Sequence, residues 1–264
     1  MSPREVVAGR LSCLVARARS AALVGRTGGR PAPLVEAAGL LLVILLFSRL
    51  HAAAGKDAAA ATANALALQS IERAAHLDIA LRANQWLTEH PALIQPAVYY
   101  YRLYYLAIIG VLVWVFVRHS GVYVKVRRTL VVMLVLVLPV YWALPMSPPR
   151  LALPGVVDII AENDLLGAHA SREIQSGQNI HSAMPSMHVG WSLWCAYAVW
   201  CALRVSHPRW ALLAWIFPLG MTAVVLTTGN HYVLDVAGSA VLLVVSIAVA
   251  SAWGRLAERR RARH

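Results

Sequence analysis

Apolar residues run along this chain in long stretches, broken by short polar segments rich in arginine. A helix needs about 20 mostly apolar residues to cross the hydrocarbon core of a bilayer. Six stretches meet that need or come close: 34–50, 95–117, 129–147, 186–204, 209–228 and 231–253. The pattern predicts an all-α polytopic membrane protein with six transmembrane helices. Pro218 and Gly220 fall inside the fifth stretch, which neighbouring helices can tolerate by re-satisfying the backbone. Two further segments fall between spans. Residues 52–94 are Ala-rich, with Leu66, Ile71, Leu77, Leu81 and Trp86 among charged neighbours, and predict one or two amphipathic helices lying at the outer interface. Asp78 is the candidate N-cap of the second, and Pro91 lies just past its end. Residues 150–185, rich in Gly, Asp, Asn and Ser, predict a loop over the outer mouth. No internal repeat is visible.

Charge fixes an orientation. The chain carries a formal charge of +12, with 59% hydrophobic and only 14% charged residues. Seventeen of its 24 lysines and arginines lie before the first span, between spans two and three, between four and five, or after the sixth. The positive-inside rule then puts both termini in the cytoplasm. Residues 1–33 and 254–264 are expected to be basic cytoplasmic tails around a membrane domain at 34–253. Arginines interrupt the short apolar patches of the first 30 residues, so these do not predict a cleavable signal peptide. Nucleic acid is excluded as a partner because no separate basic domain exists to carry it. Cys13, Cys195 and Cys201 form no disulfide framework and are expected to be small buried hydrophobes.

Polar residues in such a chain need a reason, and they gather at the outer ends of three spans. "AMPSMHVGW" (183–191) opens the fourth, "TGNHYVLDVAG" (228–238) opens the sixth, and "LPMSPPRLALP" (144–154) follows the third with Arg150. Pro185 and Ser186 at a helix start leave free N–H groups and a positive helix end facing outward, a ready anion site beside His188. His231 and Asp235 are four apart and share one helix face. The carboxylate can hold Nδ1–H and leave the Nε2 lone pair aimed outward, and a histidine nitrogen can attack phosphorus directly. Arg102, inside "VYYYRLYY" (98–105), either snorkels to the outer headgroups from an interfacial aromatic belt or contacts a bound phosphate. His51, His76, His90, His169 and His181 show no comparable pairing in the sequence.

These motifs resemble the type 2 phosphatidic acid phosphatase superfamily, whose signature is KxxxxxxRP, PSGH and SRxxxxxHxxxD. Over residues 34–253 the chain looks closer still to the inositol phosphorylceramide synthase-like branch. The resemblance implies a nucleophilic His231 that forms a phosphohistidine, an orienting Asp235, and His188 as general acid. It implies that Arg150 and Ser186 hold the phosphate, without metal or cofactor. Ala143 stands where the first motif has lysine, Leu151 where it has proline, and Val224 and Val225 where the third has Ser-Arg. Phosphate neutralisation then falls to Arg150, with Arg102 as a further cation and Thr227, Thr228 or Asn230 as neutral donors. Fewer cations suit a phosphodiester or a lipid-linked diphosphate as readily as a dianionic monoester.

The function expected is that of an integral-membrane lipid phosphatase or phosphotransferase, with water or an alcohol such as inositol as acceptor. The partners expected are a lipid phosphate substrate and membrane lipids, with the site at the outer face of the cell membrane. Two alternatives stay open at this stage: a non-catalytic membrane scaffold, and a membrane protein in which histidines ligate haem or a metal.

Overall fold

A computed structural model of the chain describes residues 31–163 and 179–263. The described residues are helical with no strand, apart from one isolated bridge between Met146 and Ser182. The chain divides into two units, Met1–Ser48 and Arg49–His264. In the first, the described residues belong to α1 (Pro33–Ala53), whose Leu34, Leu41 and Leu45 are exposed. The expected tail at 1–33, with Cys13, lies almost wholly outside the described residues, as do His169 and Arg172.

In the second unit, α2 (Ala58–Ala74) and α3 (Ala80–Thr88) occupy the segment expected to be amphipathic. Asp57 caps α2, its side chain accepting Ala60 N–H at 2.9 Å. Asp78 does not cap α3: the N-cap is Ile79, and Asp78 instead pairs with Arg73 at 3.9 Å. α4 (Pro91–Arg118) starts on a proline, which suits a position whose N–H would be orphaned anyway. His119 both ends α4 and caps α5 (Ser120–Ala143), so the two helices meet at a one-residue joint.

Two single turns, α6 (Pro149–Ala152) and α7 (Ile159–Glu162), stand in the segment expected to be loop. α8 (Met187–Leu203) is followed by α9 (Pro208–Leu213) and α10 (Ile216–Thr227). The break between α9 and α10 falls just before Pro218, whose ring would clash with the carbonyl of Ala214 in an unbroken helix. α11 (Val233–Arg261) runs on through most of the expected C-terminal tail.

Among the described residues, four helical stretches are long and apolar enough to cross a membrane: Pro33–Ala53, Pro91–Arg118, Pro208–Thr227 and Val233–Arg260. The two remaining expected spans coincide with α5, which carries Lys125, Arg127 and Arg128 in its first half, and with α8, which is only 17 residues long. Apolar side chains face outward on the long helices, among them Leu106, Leu219 and Val244. That is the surface expected of a membrane protein.

α8 is the hub and packs on α4, α5, α9, α10 and α11. Its Trp194 is fully buried and donates Nε1–H to Val126 O of α5 at 3.0 Å. One core joins Val98, Tyr101 and Tyr104 of α4 to Val189 of α8 and to Met221 and Val225 of α10. Chain direction then sorts the polar groups. The N-termini of α8 and α11 and the C-terminus of α10 share one end of the bundle. Arg118, Arg128, Arg204 and Arg255 belong to the other end, where Arg128 lies over Trp253.

Asn84 shows how α3 is locked to this bundle. It is fully buried, donates Nδ2–H to Val157 O and Thr227 O at 3.0 Å each, and accepts Val157 N–H at 2.8 Å. Asn84→Leu strands all three partners, so it should cost about 2–4 kcal/mol. A thermal melt in detergent should show a drop of several degrees, whereas exposed Arg82→Ala should leave the midpoint in place.

Candidate active site

Asp235 is fully buried in the first turn of α11. Its Oδ2 lies 3.2 Å from His231 Nδ1 and 2.9 Å from Tyr232 N. One oxygen therefore caps the helix and orients the ring. With Nδ1–H donated to the carboxylate, Nε2 keeps its lone pair.

His188 enters from α8. Ser186 is the N-cap there, its Oγ accepting Val189 N–H at 3.4 Å, so the helix opens at Met187, two residues later than a first-turn Pro185 would predict. The two helix starts are stitched together. Ser186 N–H donates to Asp235 O at 3.3 Å, and the Ser239 hydroxyl sits 2.7 Å from Ser186 O and 2.8 Å from Asp235 O. Tyr141 of α5 donates to Pro185 O at 3.1 Å. A Cβ on Gly238 would lie 3.3 Å from that of Pro185, so the glycine permits the close approach. The His188 and His231 ring centroids end 6.0 Å apart at an interplanar angle of 55°.

Tyr101 stacks on His188 at 4.1 Å, and Tyr104 meets it edge-on at 4.5 Å. Both tyrosines are buried, whereas Tyr99 and Tyr105 are exposed. The aromatic stretch is thus only partly a belt: its i, i+3 pair forms a wall of the site. Arg102 follows Tyr101 on α4, partly buried and roughly 100° further round the helix.

Arg150 approaches from the α6 turn, its N–H bonded to Gly229 O at 2.9 Å. Its Nε lies 3.0 Å from Asp158 Oδ2, and Nη1 donates to Asn230 Oδ1. Asn230 in turn donates Nδ2–H to Thr228 Oγ1 at 2.8 Å. The Thr227 and Thr228 hydroxyls donate back into α10, to Ala223 O at 2.8 Å and Val224 O at 2.7 Å respectively. They are therefore not offered as donors to a ligand, contrary to expectation. Residues 228–231 present Arg150 instead.

A family model described as the PAP2 superfamily matches residues 66–249, more than two thirds of the chain. The chain belongs to the PAP2 superfamily. Comparison with curated proteins and with solved structures found no match. As a PAP2 protein it is a phosphatase-type membrane protein whose family acts on lipid phosphates. The matched residues enclose Arg102, Arg150, Ser186, His188, Asn230, His231 and Asp235.

Several neighbours of the candidate site carry no signal in the linear sequence. Asp158 faces Arg150 and also caps α7 through Ala161 N–H at 3.1 Å. Glu72 reaches α11 from α2, 162 residues away. His51 and His181 have partners after all: His51 Nε2 is 2.9 Å from Ser182 Oγ, and His181 Nδ1 is 3.0 Å from Ser147 Oγ. Burial holds His181 below the usual imidazole range.

Gly229 has φ +74°, and a Cβ there would lie 2.7 Å from Val156 Cγ1 and 3.1 Å from Val157 O. Gly229→Ala should therefore cost about 1–3 kcal/mol and loosen the carbonyl that holds Arg150. Gly121→Ala, with open space around it, should stay within about 1 kcal/mol of wild type. Paired thermal or chemical denaturation of the two variants checks this.

Proposed function

We propose that the protein cleaves a lipid phosphate ester by two successive displacements at phosphorus, with His231 as nucleophile. The observation that carries the reading is the facing histidine pair at 6.0 Å. An attacking atom sits about 3–3.5 Å from its target, and a general acid reaches its oxygen within about 2.6–3.2 Å. Two rings this close are within reach of one and the same phosphoryl group.

In the first displacement the Nε2 lone pair of His231 forms an N–P bond while the P–O bond to the lipid or alcohol breaks. The departing oxygen takes a proton from His188. The His231 ring becomes cationic, and Asp235 stabilises it through Nδ1–H. In the second displacement His188, now neutral, takes the proton from an incoming hydroxyl. That oxygen attacks phosphorus, and the N–P electron pair returns to His231. Water as acceptor gives hydrolysis; an alcohol gives transfer.

Arg150 binds the phosphoryl oxygens with Asn230 fixing its orientation. Ser186 and the positive end of α8 add to the same anion site, and Arg102 is a further cation on α4. Asp158 offsets part of the Arg150 charge, which suits a monoanionic phosphodiester better than a dianionic monoester. The inositol phosphorylceramide synthase-like pattern of "AMPSMHVGW" keeps an alcohol such as inositol beside water as the acceptor. The carboxylate built onto His231 argues for catalysis over a passive scaffold, and family membership gives the haem or metal alternative no support.

In this reading α1, α4, α5, α8, α9–α10 and α11 make six spans. Both termini are cytoplasmic, α2 and α3 lie at the outer face, and the site opens there. The gathering of described arginines at the bundle end opposite the histidines supports that orientation.

Purified protein given phosphate-labelled phospholipid should trap an acid-labile adduct that is absent in His231→Ala. Undiminished adduct in that variant overturns the assignment. Asp235→Asn, with the ring held in the wrong tautomer, should lower kcat by on the order of 10²–10⁴. A phospholipid panel assayed with and without inositol, scoring free phosphate against transferred headgroup, separates hydrolysis from transfer.

A further inference from the structure

Glu72 is fully buried, which is rare for a carboxylate unless something compensates it. Its Oε1 accepts Leu234 N–H of α11 at 2.7 Å, while Oε2 is buried with no hydrogen-bond partner among the described residues. Burial and the nearby Asp235 push its carboxyl up, against the pull of the Leu234 N–H. Leu234 is the second residue of α11 and immediately precedes Asp235. A first-turn N–H has no partner within its own helix, so a carboxylate from another segment can fix where that turn sits.

The supporting helix is itself anchored. Ser147 N–H donates to Ala61 O at 3.1 Å, and Asn64 Nδ2–H donates to Pro145 O at 2.8 Å. α2 thus ties the segment leading to Arg150 to the turn that carries Asp235. On the reading of His231 as nucleophile, we propose that Glu72 is a positioning residue: through its hydrogen bond to Leu234 N–H it clamps the first turn of α11 and keeps the His231–Asp235 pair in register with His188.

Glu72 does not touch the reacting atoms, so the geometry of the bond carries its effect, not the charge. Glu72→Gln keeps the accepting oxygen at the same reach. Glu72→Asp keeps the charge but is one methylene too short. Membranes bearing wild type, Glu72→Gln, Glu72→Asp and His231→Ala are compared for kcat and KM on the phospholipid turned over by wild type. Amide hydrogen exchange of residues 233–236 is measured alongside.

The expected pattern is Glu72→Gln within about threefold of wild type and Glu72→Asp reduced about 10–100-fold in kcat, the scale of a small misplacement of reacting groups. KM should stay within about threefold, and the first turn of α11 should exchange faster in Glu72→Asp alone. The reverse pattern, an active Glu72→Asp with an impaired Glu72→Gln, overturns the proposal, as does unchanged exchange in Glu72→Asp. Wild-type turnover that survives His231→Ala defeats the nucleophile assignment instead, and the exchange measurement still decides whether Glu72 clamps the turn.

Discussion

A single carboxylate oxygen, Asp235 Oδ2, holds both the His231 ring and the backbone N–H that opens α11. The carboxylate thereby caps the helix start and holds the ring at once. Asp235 O in turn accepts the Ser186 N–H that leads into α8. Two helix N-termini are thus bound to each other beside the two histidines. Their positive ends converge on one spot, so an anion is the natural guest there. The surrounding structure (Tyr141 on Pro185, Ser239 between the helices, Gly238 yielding space) keeps that junction closed.

Much of this was legible in the chain. Long apolar stretches placed α1, α4, α5, α8, the α9–α10 pair and α11, because a lipid-facing helix has to write its hydrophobicity into nearly every residue. The contact of His231 with Asp235 was anticipated, but not its cause: His231 precedes the N-cap Tyr232 and lies outside α11, so the two share no helix face, and the carboxylate that caps the helix start reaches back to the ring. The meeting of "PSMH" with "HYVLD" followed from placing both at the N-terminal ends of two spans that run the same way, and the rings do approach.

What stayed hidden depends on contacts between segments far apart in sequence. "VYYYRLYY" looks like a belt of equivalent tyrosines, yet Tyr101 and Tyr104 are buried against His188 while Tyr99 and Tyr105 face outward. Only the partner helix decides which face of α4 is the inner one. Asp158 and Glu72 are single acids in polar segments; nothing local marks one as the counter-ion of Arg150 or the other as a clamp on α11. Thr227 and Thr228 were expected as phosphate donors, but hydroxyls on a helix bond readily to the carbonyl one turn back, and these do. Asp78 looked like a cap, and the helix begins without it, at Ile79.

The central claim is that two imidazoles address one phosphorus atom. An experimental structure of the protein with vanadate, a stand-in for the five-coordinate phosphoryl group, tests it most directly. Vanadium should be bonded to His231 Nε2, with the apical oxygen opposite within about 2.6–3.2 Å of a His188 nitrogen and the equatorial oxygens facing Arg150. Vanadate seated away from His231, or bound with His188 out of reach of the apical oxygen, would contradict the account.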